Sequence, residues 1–185
     1  MLALAAALIL TGSCAPDAEP FDTEGYRSER YRAPVDRDPA PAQPITTGEA
    51  QALFRAGIAI WIDVLPAEGA YRDAQGRWHL AQVHQTIPRA LWFPEVGRSN
   101  PEPALWRAFA ARVADERRKR PSAAIVVFCR ADCWMSWNAA RRLARSGMTR
   151  VRWYADGIED WHAKGGTLVD ARPEPAPYRS TPKGE

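Results

Sequence analysis

Residues 123–143 read AAIVVFCRADCWMSWNAARRL. Ile125-Val126-Val127-Phe128 is a short apolar run rich in β-branched residues, which predicts a buried strand. Ser136 to Leu143 returns to helical spacing, with Ala139, Ala140 and Leu143 on one face. Cys129 to Met135 forms the loop between strand and helix. Such a loop gathers unpaired backbone N–H groups of the helix start around one point. A sulfur placed there ionises more readily. The helix terminus contributes about 0.3–1 kcal/mol, up to about 2 in favourable geometry. One pKa unit is about 1.4 kcal/mol, so a thiol here could titrate about one unit low. Arg130 adds to that shift and Asp132 opposes it.

Outward from this loop, strands alternate with helices, which predicts a mostly parallel α/β sheet. Thr46 and Glu49 have capping-box spacing, and Ala50, Leu53 and Phe54 follow on one face until Gly57 ends the helix. Ile58–Val64 reads as a strand. Pro66–Trp78 reads as a polar insertion or hairpin turning at Asp73–Gly76. Ile87–Phe93 carries a short strand. Pro103 opens a helix with Leu105, Phe109 and Val113 on one face and Arg117-Arg118-Lys119-Arg120 at its end. Val151–Tyr154 is a further strand, and Trp161 lies in a short helix before Gly165-Gly166.

The strand, the Cys, the tight loop and Ser136-x-x-Ala139-Ala140-x-x-Leu143 together resemble the active-site segment of a rhodanese-like domain. Ile62-Asp63-Val64 is similar to the aspartate-bearing strand of that family. Ile87-Pro88-Arg89-Ala90 is similar to its Ile-Pro-Gly-Ala turn, and Gly157 to Trp161 to its closing stretch. The resemblance covers about Ile45 to Val169. It implies a single α/β domain of rhodanese-like fold, with a central sheet flanked by helices. It also implies sulfurtransferase-like chemistry at Cys129, with Arg130, Ala131, Asp132, Trp134, Met135 and Ser136 as the surrounding loop. Asp63 and Trp137 would support that loop. Six residues separate Cys129 from Ser136, one more than in the common rhodanese loop. That is the loop length of the phosphatase branch, but the arginine needed there to hold phosphate falls at Met135. Leu65 stands where an arginine usually follows Ile-Asp-Val. Cys133-Trp134 is similar to a narrower group, periplasmic proteins with a Cys…Cys-Trp motif associated with PQQ-dependent alcohol oxidation. Glu24–Arg27 and Tyr31–Pro34 resemble that group too. Its motif is usually written with two residues between the cysteines; here there are three.

Four chemistries suit the two cysteines. Cys129 could carry a persulfide that Cys133 discharges. The pair could cycle between dithiol and disulfide, with Cys129 attacking and Cys133 resolving, or the reverse. Two thiolates could bind Cu(I), with His79, His84, His162, Met135 or Met148 as a third ligand. A structural disulfide in a non-catalytic scaffold is the last. Cys-x-x-Cys-His is absent, so haem attachment is excluded, and no cofactor is called for. PQQ itself has no site here.

The chain has 185 residues, a net charge of +3 and eight tryptophans. That charge is too small for a nucleic-acid protein. Met1–Leu10 is apolar and Thr11-Gly12-Ser13-Cys14 follows, as in a secretory signal; the run is too short for a bilayer span of ~20 residues. The same residues resemble a lipoprotein box, which would give Cys14 a lipid anchor. Residues 1–14 are therefore expected to be a signal, 15–44 a Pro-rich arm, 45–170 the domain and 171–185 a flexible tail. The expected location is the periplasm. The expected partners are a small sulfur donor or a periplasmic thiol or redox protein, and components of a PQQ-dependent alcohol dehydrogenase system.

Overall fold

The computed structural model describes residues 20–29 and 32–175. The expected signal, Cys14 and residues 176–185 lie outside them. The chain forms β1 (Gln43–Ile45), α1 (Thr47–Ala56), β2 (Ala59–Asp63), β3 (Tyr71–Arg72), β4 (Trp78–His79), β5 (Gln85–Thr86) and β6 (Leu91–Trp92). Then follow α2 (Pro103–Lys119), β7 (Ala124–Phe128), α3 (Met135–Arg145), β8 (Val151–Tyr154), α4 (Gly157–Ala163) and β9 (Val169–Asp170). Five strands make one parallel sheet in the order β1-β8-β7-β2-β6. β3 and β4 form the hairpin expected around Asp73–Gly76, and β5 pairs antiparallel with β9.

β7 lies at the centre because both of its faces are apolar, as a doubly covered parallel strand requires. Ile125 and Val127 point to the core beneath α2 and α3, with Ile60, Ile62, Phe109, Val113 and Leu143. Val126 and Phe128 point to the opposite core with Ala50, Trp61, Tyr154 and Trp161. Cys129 continues the alternation and belongs to the first of these cores.

Local signals act as read. Thr46 Oγ1 accepts from Glu49 N–H, and Glu49 Oε2 accepts from Thr46 N–H, so the capping box closes. Gly57 takes the left-handed conformation at φ 67° and ends α1. The strand expected over Ile87–Phe93 shrinks to Leu91–Trp92, because Ile87 is already committed to the second core before the chain reaches the sheet edge.

Residues 171–175, expected in the flexible tail, are held. Ala171 N–H donates to His84 O and Glu174 N–H to Trp92 O, while Glu174 pairs with Arg112 at 3.2 Å. His84, just before β5, and Trp92, on the open edge of β6, provide those backbone partners. Phe21, Arg27, Arg37 and Ala40 of the arm lie against α3. Asn138 is fully buried; its Oδ1 accepts from Arg27 N–H and its Nδ2 donates to Arg27 O and Gly97 O. Trp137 Nε1 donates to Arg37 O, and Phe21 meets the Trp137 ring edge-on at 5.6 Å. Gln43 and Pro44, read as the end of the arm, already pair with β8.

Candidate active site

The carboxyl ends of parallel strands are where such sheets bind ligands. Here β2 ends in Asp63, and β7 ends just before Cys129, with Asp63 and Phe128 paired in register. The loop then folds over itself. Cys133 N–H donates to Arg130 O, and Arg130 bridges to Gly157. Gly157 sits at φ 65°, and a Cβ there would lie 2.7 Å from Cys129 O, Arg130 C and Ala131 N. Glycine is therefore required for the loop to rest on α4.

Both cysteines are free thiols and both are buried, Cys129 to 1% exposure and Cys133 to 6%. Cys129 Sγ lies 2.9 Å from the carbonyl oxygen of Cys133 and 3.1 Å from Ser136 Oγ. A carbonyl oxygen that close favours S–H and repels a thiolate. Ser136 is itself held, since Trp153 Nε1 donates to its Oγ at 3.0 Å. Burial pushes the Cys129 thiol well above its ordinary value, and the hydrogen bond and charge of Cys133 add to this; the Ser136 hydroxyl and N–H pull weakly the other way. The Cys133 thiol moves down. The Cys129 hydrogen bond is the leading cause, and backbone N–H groups of Met135 and Arg130 assist against burial and the charge of Asp63. The resemblance puts the chemistry at Cys129, whereas the local geometry favours Cys133 as the more acidic sulfur. The N–H groups of the helix start serve the cysteine nearer the helix, and Cys129 faces a carbonyl instead.

The other loop residues take defined places. Arg130 pairs with Glu159 of α4 at 2.7 Å and lies 3.8 Å from Asp132 of the loop, so its charge is largely balanced. Ala131 N–H donates to Glu159 Oε2. Asp132 is bound by Arg32 at 2.9 Å, and Arg32 also reaches Glu68 at 3.9 Å, so the arm crosses the loop. Met135 is fully buried, at the position where phosphate chemistry needs an arginine. Trp134 and Trp137 are core residues rather than a docking face. Among the described residues the Asp63 carboxylate makes its hydrogen bonds away from the cysteine loop. Its Oδ1 accepts from Leu65 N–H at 2.9 Å, and its Oδ2 accepts from Thr86 Oγ1 at 2.6 Å and meets His84 Nε2 at 2.7 Å.

A cleft of about 310 Å³ opens beside the loop, lined by Leu65, Glu68, His84, Trp92, Arg130 and Glu159 among others. Neither sulfur is among its lining residues. Among the described residues no group of three His, Cys, Asp or Glu side chains could hold a metal ion. Sequence reasoning weighed His84 only as a metal ligand and passed over Glu159, Trp153 and Thr86. Nothing local marks these residues; the fold brings them to the loop.

Residues 46–164 match the family described as rhodanese-like domain. Among solved structures, the chain is similar to the thiosulfate sulfurtransferase from Pseudomonas aeruginosa, at 20% identity and a TM-score of 0.49. That alignment covers 71% of this chain and 21% of the other, so this chain spans about a fifth of the Pseudomonas protein. It is similar also to the BH2092 protein from Bacillus halodurans, at 20% identity and a TM-score of 0.44, over 69% of this chain and 77% of that one. No curated protein matches the sequence.

Proposed function

Because this chain belongs to the rhodanese-like domain family, we propose that it handles sulfur at the Cys129/Cys133 pair as a sulfurtransferase-like dithiol protein. Cys133 is the attacking sulfur and Cys129 the resolving one. The observation that carries this is the asymmetry of the pair: Cys129 Sγ lies 2.9 Å from a carbonyl oxygen that holds its proton, while backbone N–H groups support the Cys133 sulfur. The Cys133 thiolate attacks the sulfane sulfur of a donor such as thiosulfate, forming a persulfide and releasing sulfite. The Cys129 thiol then attacks Cys133 Sγ. The S–S bond to the outer sulfur breaks, a Cys129–Cys133 disulfide forms, and the outer sulfur leaves with the Cys129 proton as HS⁻. A thiol reductant restores the dithiol.

The test is intact mass after incubation with a sulfane donor, on wild type and on Cys129→Ser and Cys133→Ser. Cys129→Ser should gain one sulfur atom and keep it. Wild type should release sulfide and lose two hydrogens. Cys133→Ser should do neither. If Cys133→Ser holds the sulfur instead, the roles are exchanged.

The setting we propose is the periplasm, in support of PQQ-dependent alcohol oxidation, with a periplasmic thiol or redox protein as the reducing partner. Its support is the apolar leader ending at Cys14 and the likeness of Ala131–Ala140 to the Cys…Cys-Trp group. Fractionation of a tagged full-length protein, and growth of a deletion strain on an alcohol oxidised by that route, test it. Cytoplasmic recovery with unimpaired growth would refute it. The deep burial of both sulfurs favours a second reading, a scaffold with inert thiols. No mass change in any of the three proteins would establish that one.

A further inference from the structure

Around Cys129 Sγ lie the carbonyl oxygens of Cys133 at 2.9 Å and Arg130 at 3.7 Å, and Ser136 Oγ at 3.1 Å. A carbonyl can only accept, so both favour the thiol over the thiolate. Ser136 is different, because its hydroxyl has a proton to give as well as lone pairs. The resolving attack needs such a donor. Negative charge builds on Cys129 Sγ as its proton leaves, at a position 1% exposed, where an unsupported charge is costly.

Trp153 governs which way that hydroxyl points. It lies on β8 in register with Val127, on the face of β7 that Cys129 continues. Its Nε1–H donates to Ser136 Oγ at 3.0 Å, and both side chains are buried. An indole N–H donates and never accepts, so Ser136 cannot spend its own proton on Trp153. Two acceptors beside it are Cys133 O at 3.5 Å and Cys129 Sγ at 3.1 Å. The carbonyl is at the limit of a hydrogen bond and already takes the Cys129 S–H at 2.9 Å.

We propose that Trp153 is a positioning residue for the resolving step: its indole N–H holds the Ser136 hydroxyl so that it donates to Cys129 Sγ as that sulfur gives up its proton. The indole also polarises the hydroxyl and makes it a stronger donor. The inference rests on the dithiol reading above, and the bonds are those of that reading. Cys129 Sγ bonds to Cys133 Sγ, the bond from Cys133 Sγ to the outer sulfur breaks, and the Cys129 proton leaves with that sulfur as HS⁻. Ser136 keeps its proton throughout and turns it toward the developing charge.

A packing role for Trp153 would make Ser136 a mere acceptor for a buried indole, and the two residues would then act independently on the chemistry. The experiment mixes reduced full-length protein with thiosulfate and follows intact mass over time at several pH values. It reads two rates: gain of one sulfur atom, and conversion of that form to the disulfide. Ser136→Ala should slow conversion about tenfold relative to gain, with its midpoint moved to higher pH. Trp153→Phe should act in the same direction by about twofold or more. Trp153→Phe added to Ser136→Ala should slow conversion no further. Conversion as in wild type in either single variant, or independent effects that multiply in the double variant, overturn the inference while leaving the dithiol reading intact. Where a variant does not fold, the remaining single variant decides by its relative rate and its midpoint, and no change in them overturns the inference. A wild type that neither gains sulfur nor forms the disulfide overturns the dithiol reading and this inference with it.

Discussion

Cys129 and Cys133 sit four residues apart in the same loop, yet their surroundings drive them apart in acidity. The consequence for stability follows from the signs. Cys129 has a folded pKa raised above the unfolded value, so its contribution is complete below about pH 8.5 and is lost as pH rises beyond it. Cys133 has a lowered folded pKa, so its contribution is complete above about pH 8.5 and is lost as pH falls through the folded value. Wild type should therefore lose thermal stability as pH rises above about 8.5, and Cys129→Ser should lose much less. Parallel melting curves across this range check it; equal slopes would contradict the assignment of the proton to Cys129. Gly157 is the other residue on which the loop depends. Gly157→Ala puts a methyl 2.7 Å from three backbone atoms at φ 65°. It should cost more than about 2 kcal/mol, from the left-handed backbone and the clash together. Urea unfolding measures this.

At the scale of elements, α3 does two things. Its N-terminal turn forms the edge of the cysteine loop, and its buried face receives the arm. Asn138 uses three hydrogen bonds to tie Arg27 and Gly97 to the helix. Asn138→Ala leaves those backbone groups unpaired in a buried place, at about 1–3 kcal/mol for each group that water cannot reach. We expect a loss of at least about 2 kcal/mol by the same reasoning, with faster proteolysis within residues 20–42. A stable variant with an uncut arm would show that the Phe21–Trp137 ring contact and the Arg142 guanidinium over the Tyr26 ring hold the arm unaided. Arg32 is different, because its bond to Asp132 is half exposed. Arg32→Ala should leave stability within about 0.5 kcal/mol. It should nonetheless speed alkylation of Cys133, because Arg32 spans from the loop to Glu68 beside the cleft. An unchanged rate would place the barrier in the core packing of Trp134 instead.

For the whole molecule, on the dithiol reading proposed above, charge at the cleft beside the loop governs which sulfur donor suits it. Glu68, Glu159 and Arg130 line it, and Arg130 is engaged by Glu159. Leu65 lines it at the position where the rhodanese resemblance implies an arginine. Sulfur transfer from thiosulfate to cyanide should therefore be slow in the wild type, and Leu65→Arg should raise it by lowering KM more than by raising kcat. Turnover comparable with an ordinary rhodanese domain would show that the missing cation does not matter. What was readable from residues alone is what near neighbours decide. The Ile125–Phe128 run makes a doubly buried strand, Thr46 and Glu49 cap a helix, Gly57 ends it, and a cysteine follows the central strand. Each depends on backbone preference and side-chain period over a few positions. Which sulfur keeps the proton depended on a carbonyl turned to 2.9 Å from Cys129, acting against the buried charge of Asp63, 70 positions before Cys133. The partner of Asp63 lies 21 positions away, and the anchor of the arm lies 111 away. Desolvation and Coulomb interaction act through space, so only the closed fold could decide them.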